Sequence, residues 1–224
     1  MYTYCKNNPI IRIDPNGKDD YVVNRNGYIY LMRKTNSAVD VLYASGINGP
    51  KATQLDPSWK SIQVSDKSVL DGFVKSQTGR TLWDRMEFSS THSISDAANI
   101  FLFATDNTNV EWTLKGGYIN DKETYILGTN NNENSVTNIY GLTNVDKAIY
   151  PDFKAIFDIH SHPNNPFASQ RDMDNVKKFM DVKYGIYYKD ERTFFSYTDK
   201  EKRKNSITVS SMDDLIKYIF QQFK

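Results

Sequence analysis

The run Phe157-Asp158-Ile159-His160-Ser161-His162-Pro163 constrains the fold more than any other stretch of the chain. Ala155 to Ile159 is β-prone, and in an extended strand successive side chains point to opposite faces. His160 and His162 therefore share one face. Two imidazoles about 7 Å apart at the strand backbone can converge on one metal ion. Pro163 lacks the N–H a ladder needs and ends the strand. Ser169 then opens a helix predicted to run to about Met180, with Met173, Val176, Phe179 and Met180 on one face. Asp172 sits in the first turn of that helix, where the preceding turn can bring it back towards the histidines. Two His and one carboxylate leave one tetrahedral position open for water, the pattern of a catalytic Zn2+.

Such a site needs a proton acceptor outside the metal's ligands. Glu111 is the first choice, because it opens the predicted strand Val110–Leu114 directly after an apolar helix; its rivals are Glu87 and Glu123. Ser169 could place a hydroxyl near a developing oxyanion. Each residue also has a plainer reading. Ser169 and Asp172 fit a capping box, in which Asp172 only accepts the Ser169 N–H. Glu111 fits a solvated strand position. Asp158 shares the face of His160, as an edge charge or as a partner that orients an imidazole. His92 precedes a helix cap and reads as exposed.

Elsewhere the pattern is a mixed α/β one. Asp14-Pro15-Asn16-Gly17 is a turn, and β-prone runs on either side of Asn26-Gly27 form a hairpin. A short strand is expected over Ser61–Val64. Ser95 is the expected cap of a helix from Asp96 to about Thr105, apolar almost all round and therefore buried. Further strands are expected at Glu123–Leu127, Ala155–His160, Tyr184–Tyr188 and Thr193–Tyr197, with a polar loop over Thr129–Asn138. The tyrosines and phenylalanines of the last two strands read as cross-strand packing. Lys200 to Lys204 reads as a charged loop. A final helix is expected over about Ser211–Phe223, with Ser211 and Asp214 as its capping box.

Composition removes several classes of function. Cys5 is the lone cysteine, which excludes intramolecular disulfides, Cys-cluster zinc sites and the cysteine pair of a cytidine deaminase. A net charge of +1 supplies no field for nucleic acid, and no apolar run is long enough for a membrane span. The first residues lack the pattern of a secretory signal peptide. The expectation is export as part of a larger effector, or otherwise a cytoplasmic location.

His160-Ser161-His162-Pro163 followed by Ser169-Gln170-Arg171-Asp172 resembles the JAMM motif of JAB/MPN-domain metallopeptidases. That motif combines HxHP, a short loop and SxxD with a Glu on an earlier strand, here Glu111. The loop between His162 and Asp172 is one residue shorter than the usual pattern. The resemblance implies an α/β (α+β) fold: a cytidine-deaminase-like JAMM sandwich of a mixed sheet flanked by helices. It also implies His160, His162 and Asp172 as zinc ligands, Glu111 as the group that activates water, and Ser169 as the stabiliser of the tetrahedral intermediate. The substrate would be a protein or peptide, including ubiquitin-like tails. Alternatives are an inert binding module of the same fold and a RadC-like DNA-associated domain. The segment YCKNNPIIRIDPNGKDD separately resembles the end of RHS-repeat cores, after which a variable toxin domain follows. The expected organisation is an RHS-core-like remnant over 1–20, a β-rich N-terminal region over 21–92, and a JAMM-like domain over 93–224. A secreted toxin of this kind would also imply an immunity protein.

Overall fold

The computed structural model describes residues 18–37, 39–48, 52–77, 87–131, 150 and 152–222. The turn Asp14–Gly17, Cys5 and most of the loop Thr129–Asn138 lie outside these residues.

The hairpin expected around Asn26-Gly27 joins β1 (Lys18–Val23) to β2 (Ile29–Ser37). Gly27 takes a φ of +86°, which favours glycine, and the Asn24 side-chain oxygen accepts from Asn26 N and Tyr28 N to close the turn. With β3 (Asp40–Ala44) and β4 (Lys60–Val64) these strands form a four-stranded sheet in the order β2-β1-β3-β4. Helix α1 (Lys67–Ser76) follows, capped by the Asp66 carboxylate.

The second sheet has seven strands in the order β11-β10-β9-β8-β6-β7-β5. These are β5 (Glu87–Thr91), β6 (Trp112–Ile119), β7 (Lys122–Thr129), β8 (Lys154–His162), β9 (Lys183–Tyr188), β10 (Thr193–Ser196) and β11 (Lys204–Thr208). Helix α2 (Ile94–Asn107) lies between β5 and β6, α3 (Gln170–Lys178) between β8 and β9, and α4 (Met212–Gln222) follows β11. β8 and β9 are parallel and the other neighbours in this sheet pair antiparallel, so β8-α3-β9 is its crossover unit. Among the described residues no helix is long and apolar enough to cross a membrane.

Period-two alternation divides the seven-stranded sheet into two chemically different faces. Trp112 and Leu114, Tyr125 and Leu127, Phe157 and Ile159, Tyr187 and Phe194 point into the main core. That core continues through α1, α2 and α4 to Tyr21, Val23, Ile29, Leu42 and Val64 of the four-stranded sheet, so the N-terminal region shares one core with the rest. Helix α2 contacts β4, β5, β6, β7 and α4, which is why Ala97, Ala98, Ile100, Phe101, Leu102, Phe103 and Ala104 are all buried. The opposite face carries a smaller cluster of Ala168, Met173, Tyr184, Ile186, Phe195 and Tyr197, which holds α3 against the sheet.

Several local expectations are corrected by tertiary contacts. Ser93, rather than Ser95, caps α2: the helix begins at Ile94 and the Ser93 hydroxyl accepts from Asp96 N, while the buried Asp96 carboxylate accepts from Ser65 N and Asp66 N. β6 runs on through Gly116-Gly117 instead of stopping before them. Both glycines allow β8 to approach: a Cβ on Gly116 would meet the Phe157 ring at 2.1 Å, and one on Gly117 would meet the Lys154 carbonyl at 2.1 Å. Met180 lies beyond α3 and is 81% exposed, so it leaves the apolar face assigned to it. The charged stretch ending at Lys204 leads directly into β11, an edge strand with a mostly exposed polar sequence.

The Gly117 contact involves backbone, which cannot rotate away. Gly117→Ala is therefore expected to destabilise the fold by about 2 kcal/mol, the usual scale for overpacking. The check is the urea midpoint against that of the parent chain.

Candidate metal centre

His160 and His162 lie on the α3 side of the sheet, at the C-terminal end of β8. They are buried, and each is 6% exposed. Pro163 ends β8, and the chain returns through Ala168 to Ser169, the cap of α3. The Asp172 carboxylate thereby comes to 3.4 Å from His160 Nε2 through Oδ1 and 3.7 Å from His162 Nε2 through Oδ2. The two Nε2 atoms are 3.0 Å apart. The structure thus brings together three of the residues singled out by sequence.

The capping role and the facing role of Asp172 do not compete, because the carboxylate divides between them. Oδ2 accepts from Ser169 N at 2.7 Å and from Ser169 Oγ at 2.6 Å, and Asp172 N donates back to Ser169 Oγ. Oδ1 remains turned to His160. Ser169 Oγ is engaged in this box, so offering a hydrogen bond to an oxyanion would require it to exchange the bond to Asp172.

Glu111 immediately precedes β6 and is 8% exposed. Thr113 is paired with His160 across the antiparallel β6–β8 ladder. Continuing that register by two residues sets Glu111 opposite His162 and on the same face. The charge of Glu111 acts on His160. Neither rival carboxylate lies there. Glu87 is fully buried and accepts from Ile29 N, Gln77 Nε2 and Asn131 Nδ2, while Glu123 accepts from the Tyr125 hydroxyl. His92 is exposed, with Nδ1 donating to the Glu123 carbonyl.

Beneath the histidines the same face carries a buried polar row. Asp158, 2% exposed, accepts from Thr113 Oγ1 at 3.2 Å and pairs with Lys115 Nζ at 3.5 Å. Asp158 is therefore a buried partner within the sheet, not an edge charge. Two groups here escaped sequence reasoning. The Asn165 carbonyl accepts from His162 Nδ1 at 3.1 Å, which leaves the Nε2 lone pair for an ion. The Tyr197 ring stands edge-on to His160. A loop carbonyl has no sequence signature, but alternation along β9 and β10 does place aromatic residues on the site face.

The electrostatics follow from this packing. Burial opposes charge on His160, but Asp172 and then Glu111 and Asp158 outweigh it and push its pKa up to about 9. Burial and the charge on His160 push His162 down to about 4. Burial also disfavours the Asp172 carboxylate, yet the two histidines and Ser169 hold it well below the usual carboxylate range. Burial, and then the charges of Asp172 and Asp158, hold the Tyr197 proton well above its ordinary pKa. Two imidazole nitrogens this close hold one proton between them, and the facing Asp172 carboxylate favours it.

The donor set can be tested for zinc on geometry alone. Zn–N and Zn–O bonds of about 2.0–2.1 Å place neighbouring atoms of a tetrahedron about 3.3 Å apart. The two Nε2 atoms stand 3.0 Å apart, and the carboxylate approaches His160 Nε2 through Oδ1 at 3.4 Å and His162 Nε2 through Oδ2 at 3.7 Å, nearest approaches on the scale of that value. His160, His162 and Asp172 form the group of potential ligands found among the described residues.

A mixed sheet with helices on both faces, carrying two histidines and an aspartate at a strand-to-helix turn, defines a JAB-like α/β sandwich. Residues 89–177, from β5 through most of α3, match the family described as JAB-like toxin 1. The match includes Glu111, His160, His162, Ser169 and Asp172. No curated protein and no solved structure matches the chain.

Proposed function

We propose that this chain is a zinc-dependent peptidase or isopeptidase, acting as the toxin domain of an RHS-type secreted effector. The observation that carries the reading is the convergence of His160 Nε2, His162 Nε2 and the Asp172 carboxylate, whose Oδ1 faces the first and Oδ2 the second, with the potential ligand atoms all within 4.8 Å of one another. Zinc held there would lower the pKa of water towards about 7 and polarise a carbonyl. In this reading Glu111 takes the proton from the attacking water and delivers it to the leaving amine. Asn165 keeps the His162 ring turned towards the ion, and Ser169 holds Asp172 in place. Once its bond to Asp172 is exchanged, Ser169 can also donate to the oxyanion. The toxin setting is supported by the family match and by the RHS-like text of residues 1–20. A protein or peptide substrate, a ubiquitin-like tail among the candidates, and an immunity partner belong to the same proposal.

The test is zinc binding together with hydrolysis. One zinc per chain is expected, with chelator-sensitive cleavage of peptide or isopeptide substrates. His160 holds a proton up to about pH 9 in the metal-free chain, so an ion must displace it. Uptake near pH 7 is expected to release about one proton, measured as calorimetric heat that varies with the buffer's ionisation enthalpy. The sign follows: zinc affinity rises with pH up to about pH 9, by about tenfold per unit for one displaced proton. A chain that takes up no zinc, or releases no proton on doing so, overturns the assignment.

A further inference from the structure

Tyr197 follows β10 and is 3% exposed. Its ring lies 6.0 Å from that of His160 at an interplanar angle of 85°, and 5.8 Å from that of Tyr184. Its hydroxyl is buried and has no hydrogen-bond partner among the described residues. A buried donor in that condition forfeits its hydration with nothing in return, and such groups are rare in folded chains. The neighbouring Tyr184 hydroxyl, in the same apolar cluster, donates to the Phe179 carbonyl at 3.4 Å.

Of the acidic groups around the Tyr197 hydroxyl, Asp172 acts on it most strongly and Asp158 next. Asp158 already accepts from Thr113 and pairs with Lys115. In Asp172, Oδ2 is taken by Ser169, whereas Oδ1 faces His160 Nε2. We propose that Tyr197 is a positioning residue of the metal centre, whose hydroxyl donates, directly or through one buried water, to the Asp172 carboxylate when the ion is bound. This inference rests on the metal-site reading above. Carboxylates that ligate metals are held by such outer hydrogen bonds, and their loss commonly weakens metal binding about 10- to 100-fold.

The experiment compares the full chain with Tyr197→Phe and Tyr184→Phe. The first substitution keeps the packing of the ring and removes only the hydroxyl. Three quantities are measured: the melting temperature without metal, zinc affinity by competition with a chelator, and the visible spectrum of the cobalt-substituted protein. Metal-free Y197F is expected to melt at or above the parent, since it sheds an unpaired buried donor. Its zinc affinity is expected to fall about tenfold, with a shifted cobalt spectrum. Y184F is expected to match the parent in both metal readouts. Zinc affinity and cobalt spectrum unchanged in Y197F would overturn the inference and leave the metal site standing. So would a metal-free Y197F that melts well below the parent, because the hydroxyl would then serve packing. A parent chain that binds no zinc overturns the metal-site reading, and this inference with it.

Discussion

Glu111→Gln is expected to reduce hydrolysis by about 10²- to 10⁴-fold, the usual contribution of a positioned general base. Glutamine keeps the shape and hydrogen-bonding capacity of the side chain but cannot take a proton from water. The backbone link at this position, Thr129 Oγ1 donating to the Glu111 carbonyl at 2.8 Å, is independent of the side chain and survives. Glu111 lies outside the triangle of candidate ligands, so the variant is expected to bind zinc with the parent's stoichiometry. Single-turnover cleavage of a fluorogenic peptide, alongside metal analysis of the same sample, separates the two properties. Parent-like cleavage by E111Q would remove Glu111 from the mechanism. Loss of zinc would instead make it a ligand.

Asp172→Asn distinguishes a metal ligand from a simple helix cap. If the carboxylate only caps α3, asparagine can still accept from Ser169 N, and no more than about 1 kcal/mol of stability should be lost. If it is a ligand, the neutral amide removes the charge that holds His160 and weakens zinc binding by more than the roughly hundredfold ceiling typical of an outer hydrogen bond. Hydrolysis is then expected to fall below detection while the far-ultraviolet circular dichroism is retained. A D172N chain that binds zinc as the parent does would leave Asp172 with the capping box alone.

The plan of the site was legible in sequence because its key relations are local. A two-residue offset in a strand puts His160 and His162 on one face whatever surrounds them. Pro163 cannot continue the ladder, and the Ser169-to-Asp172 offset closes a capping box within one turn. The burial of α2 was legible too, from apolar residues all round it. The errors came where a local signal met a distant competitor. Ser95 looked like a cap, but α2 begins two residues earlier than expected, at Ile94, and Ser93 accepts from Asp96 N. Gly116 and Gly117 looked like a strand end, but they are where Phe157 and the Lys154 carbonyl press against β6. β11 is polar and exposed, so alternation left no trace, and its pairing with β10 is what makes it a strand.

By itself the sequence determined which side chains could form a metal centre on β8 and α3, since strand alternation and helix capping act over a few residues. Only the tertiary structure decided what surrounds that centre. The β6–β8 register sets Glu111 opposite His162, the Asn165 carbonyl turns the His162 ring, and packing of β10 brings the Tyr197 hydroxyl within the influence of Asp172. Those relations join residues far apart in the chain, and they depend on which strands become neighbours when the core closes.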